Sequence, residues 1–157
     1  MTGTTITAQP GTPFITVTRE FAAPRAAVFH AHTEPDLVKQ WLGPRGLEME
    51  ILEFDARSGG GYHYIHRDDR GEYRFRGVFH RVDDGERIIQ TFEYEGAPGD
   101  VCLETMTFTD LGAGRTRLEG HSVFPSVEAR DAAVESGMEH GIVEGYERLD
   151  EVLEKEG

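Results

Sequence analysis

The C-terminal segment of this chain is the feature that most constrains its fold. Residues 127–154 follow Pro125 and Ser126 and contain no further proline. Their apolar residues recur at helical spacing, namely Val134, Met138, Ile142, Leu149, Val152 and Leu153. The spacing predicts one amphipathic helix capped by Ser126 and about 40 Å long. Because such a helix crosses a whole small domain, the rest of the chain must form a surface that covers its apolar face.

The middle of the chain has the pattern of strands. From Gly46 to about Phe124, β-branched and aromatic runs alternate with turn sequences such as Gly59-Gly60-Gly61 and Asp83-Asp84-Gly85. Short connections of this kind join antiparallel strands. The apolar phase slips between Ile51 and Leu52, which predicts a bulge there.

The first strand, at residues 14–21, is followed by two prolines that favour helix starts, Pro24 and Pro35. The order of elements predicts an α+β fold. In this fold, a curved antiparallel sheet of about six or seven strands wraps on the long C-terminal helix, with two short helices after the first strand.

Length and composition indicate a single domain. A chain of 157 residues buries one core of ordinary size. Residues 1–13 are rich in Thr, Gly and Pro and are predicted to be a flexible lead, with the domain over 14–155. There is neither a signal-peptide pattern nor an apolar run of ~18 residues, so we expect a cytoplasmic protein that inserts in no membrane.

The formal net charge of −13 disfavours nucleic acid and anionic membranes as partners. The lone cysteine, Cys102, excludes an intramolecular disulfide and any CxxC motif. His63 and His66 are three residues apart on a strand and therefore face opposite sides. No pair of histidines is brought together by local structure, so we expect neither a metal site nor a cofactor. The sequence also contains no GxSxG nucleophile motif and no phosphate-binding loop.

Alternate residues of a strand share a face, and pairing the predicted hairpins gives one mostly apolar face toward the long helix. The residues expected to line a pocket there are Trp41, Tyr64, His66, Gln90, Phe92, Glu104, Met106, Leu118, Ser122, Met138 and Ile142. Three of them, Gln90, Glu104 and Ser122, are polar. They either hydrogen-bond to each other or to water, or they orient a ligand. Glu104 is the candidate acid or base, because burial raises the pKa of a carboxyl group.

Three glycines, Gly137, Gly141 and Gly145, recur every four residues in the predicted helix. Each costs about 1 kcal/mol relative to alanine inside a helix. Two explanations stay open at this stage: the backbone packs closely on the sheet, or the missing side chains leave room for a ligand.

Several stretches resemble a known family in their sequence and in their order along the chain. They are Ile15-Thr16-Val17-Thr18-Arg19, Trp41-Leu42-Gly43-Pro44, Glu53-Phe54-Asp55 with Gly59-Gly60, Phe75-Arg76-Gly77-Val78, and Ser136-Gly137-Met138 through Arg148-Leu149. Together they are similar to the family of homologues of the heat-shock-protein-90 ATPase activator. This family belongs to the START-like superfamily, also called SRPBCC or Bet v 1-like, which has the helix-grip fold. The resemblance implies a cavity beneath the C-terminal helix, where members of the superfamily bind lipids, hormones or polyketides.

Three functional hypotheses follow. The leading one is a module that binds a small apolar or aromatic ligand without turnover. The second is a cochaperone-like interaction domain that binds a chaperone. A second copy of the chain, forming a homodimer, is the alternative partner. The third is a cyclase- or dehydratase-type enzyme that uses Glu104 as its acid or base.

Overall fold

The computed structural model describes residues 3–156. This part of the chain forms eight strands, β1 Thr5–Thr7, β2 Phe14–Phe21, β3 Glu48–Phe54, β4 Gly61–Asp68, β5 Gly71–Asp83, β6 Arg87–Tyr94, β7 Cys102–Gly112 and β8 Arg115–Val123. It also forms four helices, α1 Arg25–Thr33, α2 Pro35–Trp41, α3 Val127–Glu135 and α4 Met138–Glu156. None of these helices is long and apolar enough to span a membrane.

All eight strands belong to one antiparallel sheet, in the order β1-β2-β8-β7-β6-β5-β4-β3. The predicted α+β class and the strand meander are confirmed. The register of β3 on β4 shifts between Ile51 and Glu53, which confirms the predicted bulge at Leu52. The main core lies between the sheet and the helices α1, α2 and α4, and includes Phe21, Val28, Leu118 and Leu149.

The eighth strand, β1, lies in the segment that the sequence predicts to be a flexible lead. Its three residues pair with β2, with Ile6 opposite Val17. Arg130 of α3 holds the same segment by donating hydrogen bonds to the carbonyl oxygens of Gln9 and Phe14, both at 3.1 Å. The prediction of a flexible lead is therefore corrected at Thr5–Thr7, because a strand of three residues has too little alternation to be recognised. Residues 1 and 2 lie outside the described part of the chain.

The C-terminal helix is interrupted, which corrects the prediction of one continuous helix. The Ser126 hydroxyl oxygen caps α3 by accepting a hydrogen bond from the amide of Ala129, as predicted. The helix ends at Ser136, and Gly137 follows in the left-handed conformation with φ = +89°. A glycine in this conformation is a common helix stop. The apolar spacing continues across the break, so it gave no sign of it.

The other two glycines lie against a loop rather than against the sheet. A Cβ atom on Gly145 would lie 3.3 Å from both the Trp41 carbonyl oxygen and the Gly43 amide nitrogen. A Cβ atom on Gly141 would lie 3.4 Å from Cδ of Pro44. The backbone of α4 thus approaches the loop between α2 and β3. Gly145 marks close packing instead of space for a ligand, whereas the contact at Gly141 is an ordinary one.

Two arginines fasten α4 in place. Arg148 donates hydrogen bonds to three carbonyl oxygens at the end of α2 and in the loop after it, at 2.9 Å from Gln40, 3.1 Å from Gly43 and 3.2 Å from Pro44. Arg19 of β2, only 5% exposed, forms a two-pronged ion pair with Asp150 at 2.9 and 2.6 Å. Both attachments lie in the second half of the helix.

The break at Gly137 predicts opposite effects for two otherwise similar substitutions. Gly137→Ala should lower the free energy of unfolding by about 1 kcal/mol, because alanine is strained in the left-handed conformation although nothing lies within 4 Å of the new Cβ. Gly141→Ala should raise it by up to about 1 kcal/mol through helix propensity. Urea unfolding of both variants measures the two changes. If Gly137→Ala also stabilised the protein, the helix would be continuous.

Candidate ligand-binding site

A row of three polar side chains crosses the middle of the sheet on the face toward the helices. Gln90 of β6 lies directly opposite Glu104 of β7, which lies opposite Ser122 of β8. The Gln90 amide donates to Oε1 of Glu104 at 2.9 Å, and the Ser122 hydroxyl donates to Oε2 at 3.4 Å. We call these three residues the polar floor. The structure thus bears out the sequence-based alternative in which these polar groups hydrogen-bond to each other.

Glu104 is enclosed by protein, and this burial raises the pKa of its carboxyl group, while the hydrogen bonds from Gln90 and Ser122 lower it. Its side chain nevertheless keeps some accessible surface, as do Phe92 and Met106 beside it. Glu104, Phe92 and Met106 are thus half-buried rather than sealed in the core. The polar floor is therefore neither a sealed core nor an outer surface.

Aromatic rings flank the polar floor. Phe75 of β5 stacks on Tyr64 with ring centroids 5.2 Å apart and on Phe92 with centroids 5.4 Å apart. On the helix side, Tyr146 of α4 stacks on Trp41 at 5.9 Å. Stacked rings of this kind present flat apolar surfaces that suit an aromatic ligand.

The hydroxyl groups of Tyr64 and Tyr146 form no hydrogen bond with any described residue, and neither is sealed from water. Burial, and next the negative charge of Glu104, raises the pKa of both hydroxyls above their ordinary range. Both groups consequently stay protonated at neutral pH and are available as hydrogen-bond donors. Tyr62 differs, because its hydroxyl donates to the carbonyl oxygen of Thr91.

His66 of β4 lies at the end of the site that is next to the loop after α2. It is 6% exposed, its ring contacts those of Tyr64 and Phe75, and its Nε2 has no partner among the described residues. A Cβ atom on Gly43 would lie 2.5 Å from Cε1 of His66, so the loop needs glycine there. Burial lowers the pKa of His66 to about 4, and the ring is neutral at pH 7.

The structure brings together most of the residues that the sequence predicts for the pocket. Tyr64, Gln90, Phe92, Glu104, Met106 and Ser122 lie around the polar floor, and Trp41 and His66 are buried at one end. Leu118 is sealed in the core at 1% exposure. Met138 and Ile142 are partly exposed on the first turns of α4 and lie outside the main core cluster.

Sequence reasoning missed Tyr146 and Phe75. Tyr146 lies one turn beyond Ile142, so helical spacing places it on the apolar face of α4. Because tyrosine carries a hydroxyl, it is not one of the apolar residues that define this spacing. Phe75 pairs with Tyr64 across β4 and β5, a register that the sequence alone did not supply.

Two grooves occur elsewhere on the protein. One of about 430 Å³ lies between α1 and the turn at Asp84-Gly85, and one of about 550 Å³ lies on the outer face of the sheet beside Gly60, Arg76 and Val78. His63 opens onto the outer groove and pairs with Glu95 at 2.6 Å, on the side opposite His66 as predicted. Within residues 3–156, no three His, Cys, Asp or Glu side chains are placed to hold a metal ion.

An antiparallel sheet held by a C-terminal helix, with two short helices after the first long strand, defines the helix-grip class of α+β proteins. The family described as activator of Hsp90 ATPase homolog 1-like protein matches residues 22–154, and the chain belongs to this family. The predicted resemblance is confirmed.

Solved structures from several bacteria share this fold. A protein from Rhodobacter sphaeroides is 27% identical, with a TM-score of 0.87 over 97% of this chain and 99% of its own. A protein from Chromobacterium violaceum is 26% identical, with a TM-score of 0.80 over 90% and 97%. The protein Ms6760 from Mycobacterium smegmatis is 23% identical, with a TM-score of 0.86 over 96% of both chains, and shows the fold alone. No curated protein matches the sequence.

The buried His66 predicts that acid destabilises the fold. The unfolded chain binds a proton on this ring near pH 6.5, whereas the folded protein binds it only near pH 4. The stabilising effect of the neutral ring is therefore complete above pH 6.5 and is lost as the pH falls toward 4. Urea unfolding between pH 7 and pH 4.5 should show that His66→Gln removes a slope of about 1.4 kcal/mol per pH unit.

The original chain provides the comparison. If His66→Gln had the same pH dependence of unfolding as the original chain, the neutral state of His66 would be refuted.

Proposed function

We propose that this protein is a binding module for a small, largely apolar or aromatic ligand, held between the polar floor and α4. One observation carries the proposal: Glu104 is enclosed by protein and yet accessible, beside two tyrosine hydroxyls that have no protein partner. A polar group inside a protein needs a partner or water, and a pocket with a few such groups in an apolar wall is the usual design of a ligand site.

The burial pattern of α4 supports this proposal. Residues 138–144, its first two turns, include no buried residue, whereas Gly145, Leu149, Val152 and Leu153 are buried. Both arginine attachments lie in that buried half. The first half is therefore not part of the buried core, and we propose that Met138 and Ile142 cover a ligand from there.

The family adds to the argument at the level of the fold. The chain belongs to a family of helix-grip proteins, and its resemblance to START-like proteins implies a cavity beneath the C-terminal helix. Catalysis by Glu104 stays a prediction, since its pKa is raised but no second group of the site is placed as a partner acid or base.

The binding proposal is tested with a pocket-filling variant. Gly120 lies between Leu118 and Ser122 on the inner face of β8, and a Cβ atom there would be 3.8 Å from Cβ of Val17, an ordinary contact. Flavonoids and polyketide-like aromatic compounds should raise the melting temperature of the original protein, with about 2.7 kcal/mol of stabilisation at a hundredfold excess over Kd. Gly120→Leu should abolish this shift.

Thr107→Leu is the matched control, because Thr107 is exposed on β7. This variant should keep the full ligand-induced shift. If no compound of the panel stabilised the original protein at high micromolar concentration, the binding proposal would be rejected.

A second candidate function, interaction with a chaperone ATPase, rests on the outer face of the sheet. Val78, Leu103 and Phe14 are 53%, 46% and 41% exposed. They lie in one row across β5, β6, β7, β8 and β2. The Thr91 hydroxyl accepts a hydrogen bond from the Val78 amide, and Thr91 lies opposite Leu103. Val123 lies between Leu103 and Phe14. An exposed apolar row is typical of an interaction surface, and the family description names an activator of the Hsp90 ATPase.

Replacing two side chains of this row tests the second candidate. The double substitution Val78→Ser and Leu103→Ser should weaken binding to an Hsp90-type chaperone by about tenfold or more, because it removes apolar contact area. The pocket variant Gly120→Leu should bind as the original protein does, and titration calorimetry measures both. Failure of the original chain to bind the chaperone would reject this candidate. Self-association through the row, the homodimer alternative, would appear as a dimer in sedimentation equilibrium.

A further inference from the structure

We infer that the site above the polar floor selects uncharged aromatic ligands that carry a hydrogen-bonding group, and rejects aromatic and aliphatic carboxylates. The inference rests on the proposed binding function and specifies the chemistry of the ligand. It follows from the charges and hydrogen-bond partners of the polar groups around the site.

Two arginines on elements around the site are already neutralised or occupied. Both terminal nitrogens of Arg19 are paired with Asp150, and its Nε is sealed from water. The guanidinium of Arg148 donates to the carbonyl oxygens of Gln40, Gly43 and Pro44. The other inner-face positions of β4, β6, β7 and β8 carry neither arginine nor lysine within the described part of the chain.

Two buried histidines, His66 and the His32 that contacts Trp41, are neutral rings at pH 7, because burial lowers the pKa of each to about 4. The floor itself contains an acid, Glu104. A carboxylate bound above it would lose its hydration without gaining a positive partner, which is costly in a site of low dielectric constant. The site therefore opposes negative charge whether Glu104 is ionised or protonated.

Uncharged polar groups, in contrast, find complementary partners. The hydroxyls of Tyr64 and Tyr146 are free to donate to a ligand carbonyl or phenol oxygen. The Glu104 carboxyl and the Gln90 carbonyl oxygen can accept from an amide or hydroxyl group, since the Gln90 oxygen has no partner among the described residues. The stacked rings of Tyr64, Phe75 and Phe92 suit the aromatic part. Phenols and aryl carboxamides meet all of these requirements.

A matched pair of probes tests the inference. 2-Naphthamide and 2-naphthoate have nearly the same shape and differ in charge at pH 7.5. Titration calorimetry should show 2-naphthamide bound about tenfold or more tightly than 2-naphthoate, and Gly120→Leu should abolish the binding of 2-naphthamide. The ratio measured with the original chain decides the question of charge selection without any variant.

Asp150→Asn tests the cause of the selection, because it removes the carboxylate that neutralises Arg19 while keeping the shape of the side chain. This variant should bind 2-naphthoate severalfold more tightly and reduce the ratio. Asp69→Asn makes the same chemical change at an exposed turn and should leave the ratio unchanged.

Each other result overturns a distinct statement. Equal or tighter binding of 2-naphthoate to the original chain overturns the charge selection while leaving the binding function in place. An unchanged ratio in a folded Asp150→Asn variant overturns the role of the Arg19–Asp150 pair. Binding of 2-naphthamide that survives Gly120→Leu places the ligand away from the polar floor. If neither probe binds and the aromatic panel gives no thermal shift, the proposed function itself fails.

Discussion

The attachment of α4 to the end of α2 is the contact on which the arrangement of the site depends. Gly145 lets the helix backbone approach the backbone of Trp41 and Gly43, and Arg148 then joins the two segments through three carbonyl oxygens. The Gln40 carbonyl lies in the last turn of α2 and would otherwise need water or a cap. The buried residues of α4 begin at Gly145, so the core contains the second half of the helix and not the first.

The buried ionisable side chains on both sides of the site have hydrogen-bonding or charged partners. The acid of the polar floor receives two hydrogen bonds from cross-strand neighbours, and the buried Arg19 receives a carboxylate from α4. Removing one member of such a set leaves the other unsatisfied, which costs more than the pair contributes when complete. Among the described residues, the sealed side-chain atoms without a partner are Nε of Arg19 and Nε2 of His32 and His66, while the hydroxyls of Tyr64 and Tyr146 keep some accessible surface.

The sequence predicted the sheet and the polar floor well, because both depend on local periodicity. Alternation along β6, β7 and β8, with the short turns between them, was enough to place Gln90, Glu104 and Ser122 in one row. It could not show that Gly145 packs on a loop about a hundred residues away in the chain, since that contact is set by tertiary packing. The break at Gly137 was missed because helical spacing only reports which faces are apolar and is silent about backbone dihedral angles.

That break has a consequence for how the fold can vary. Arg130 ties α3 to the N-terminal segment and β2, whereas Arg19 and Arg148 tie α4 to the sheet and to the loop after α2. The two helices are thus held by different contacts and are joined by Ser136 and the left-handed Gly137. A change in the length or orientation of α3 would leave the contacts of Arg19 and Arg148 that hold α4 intact.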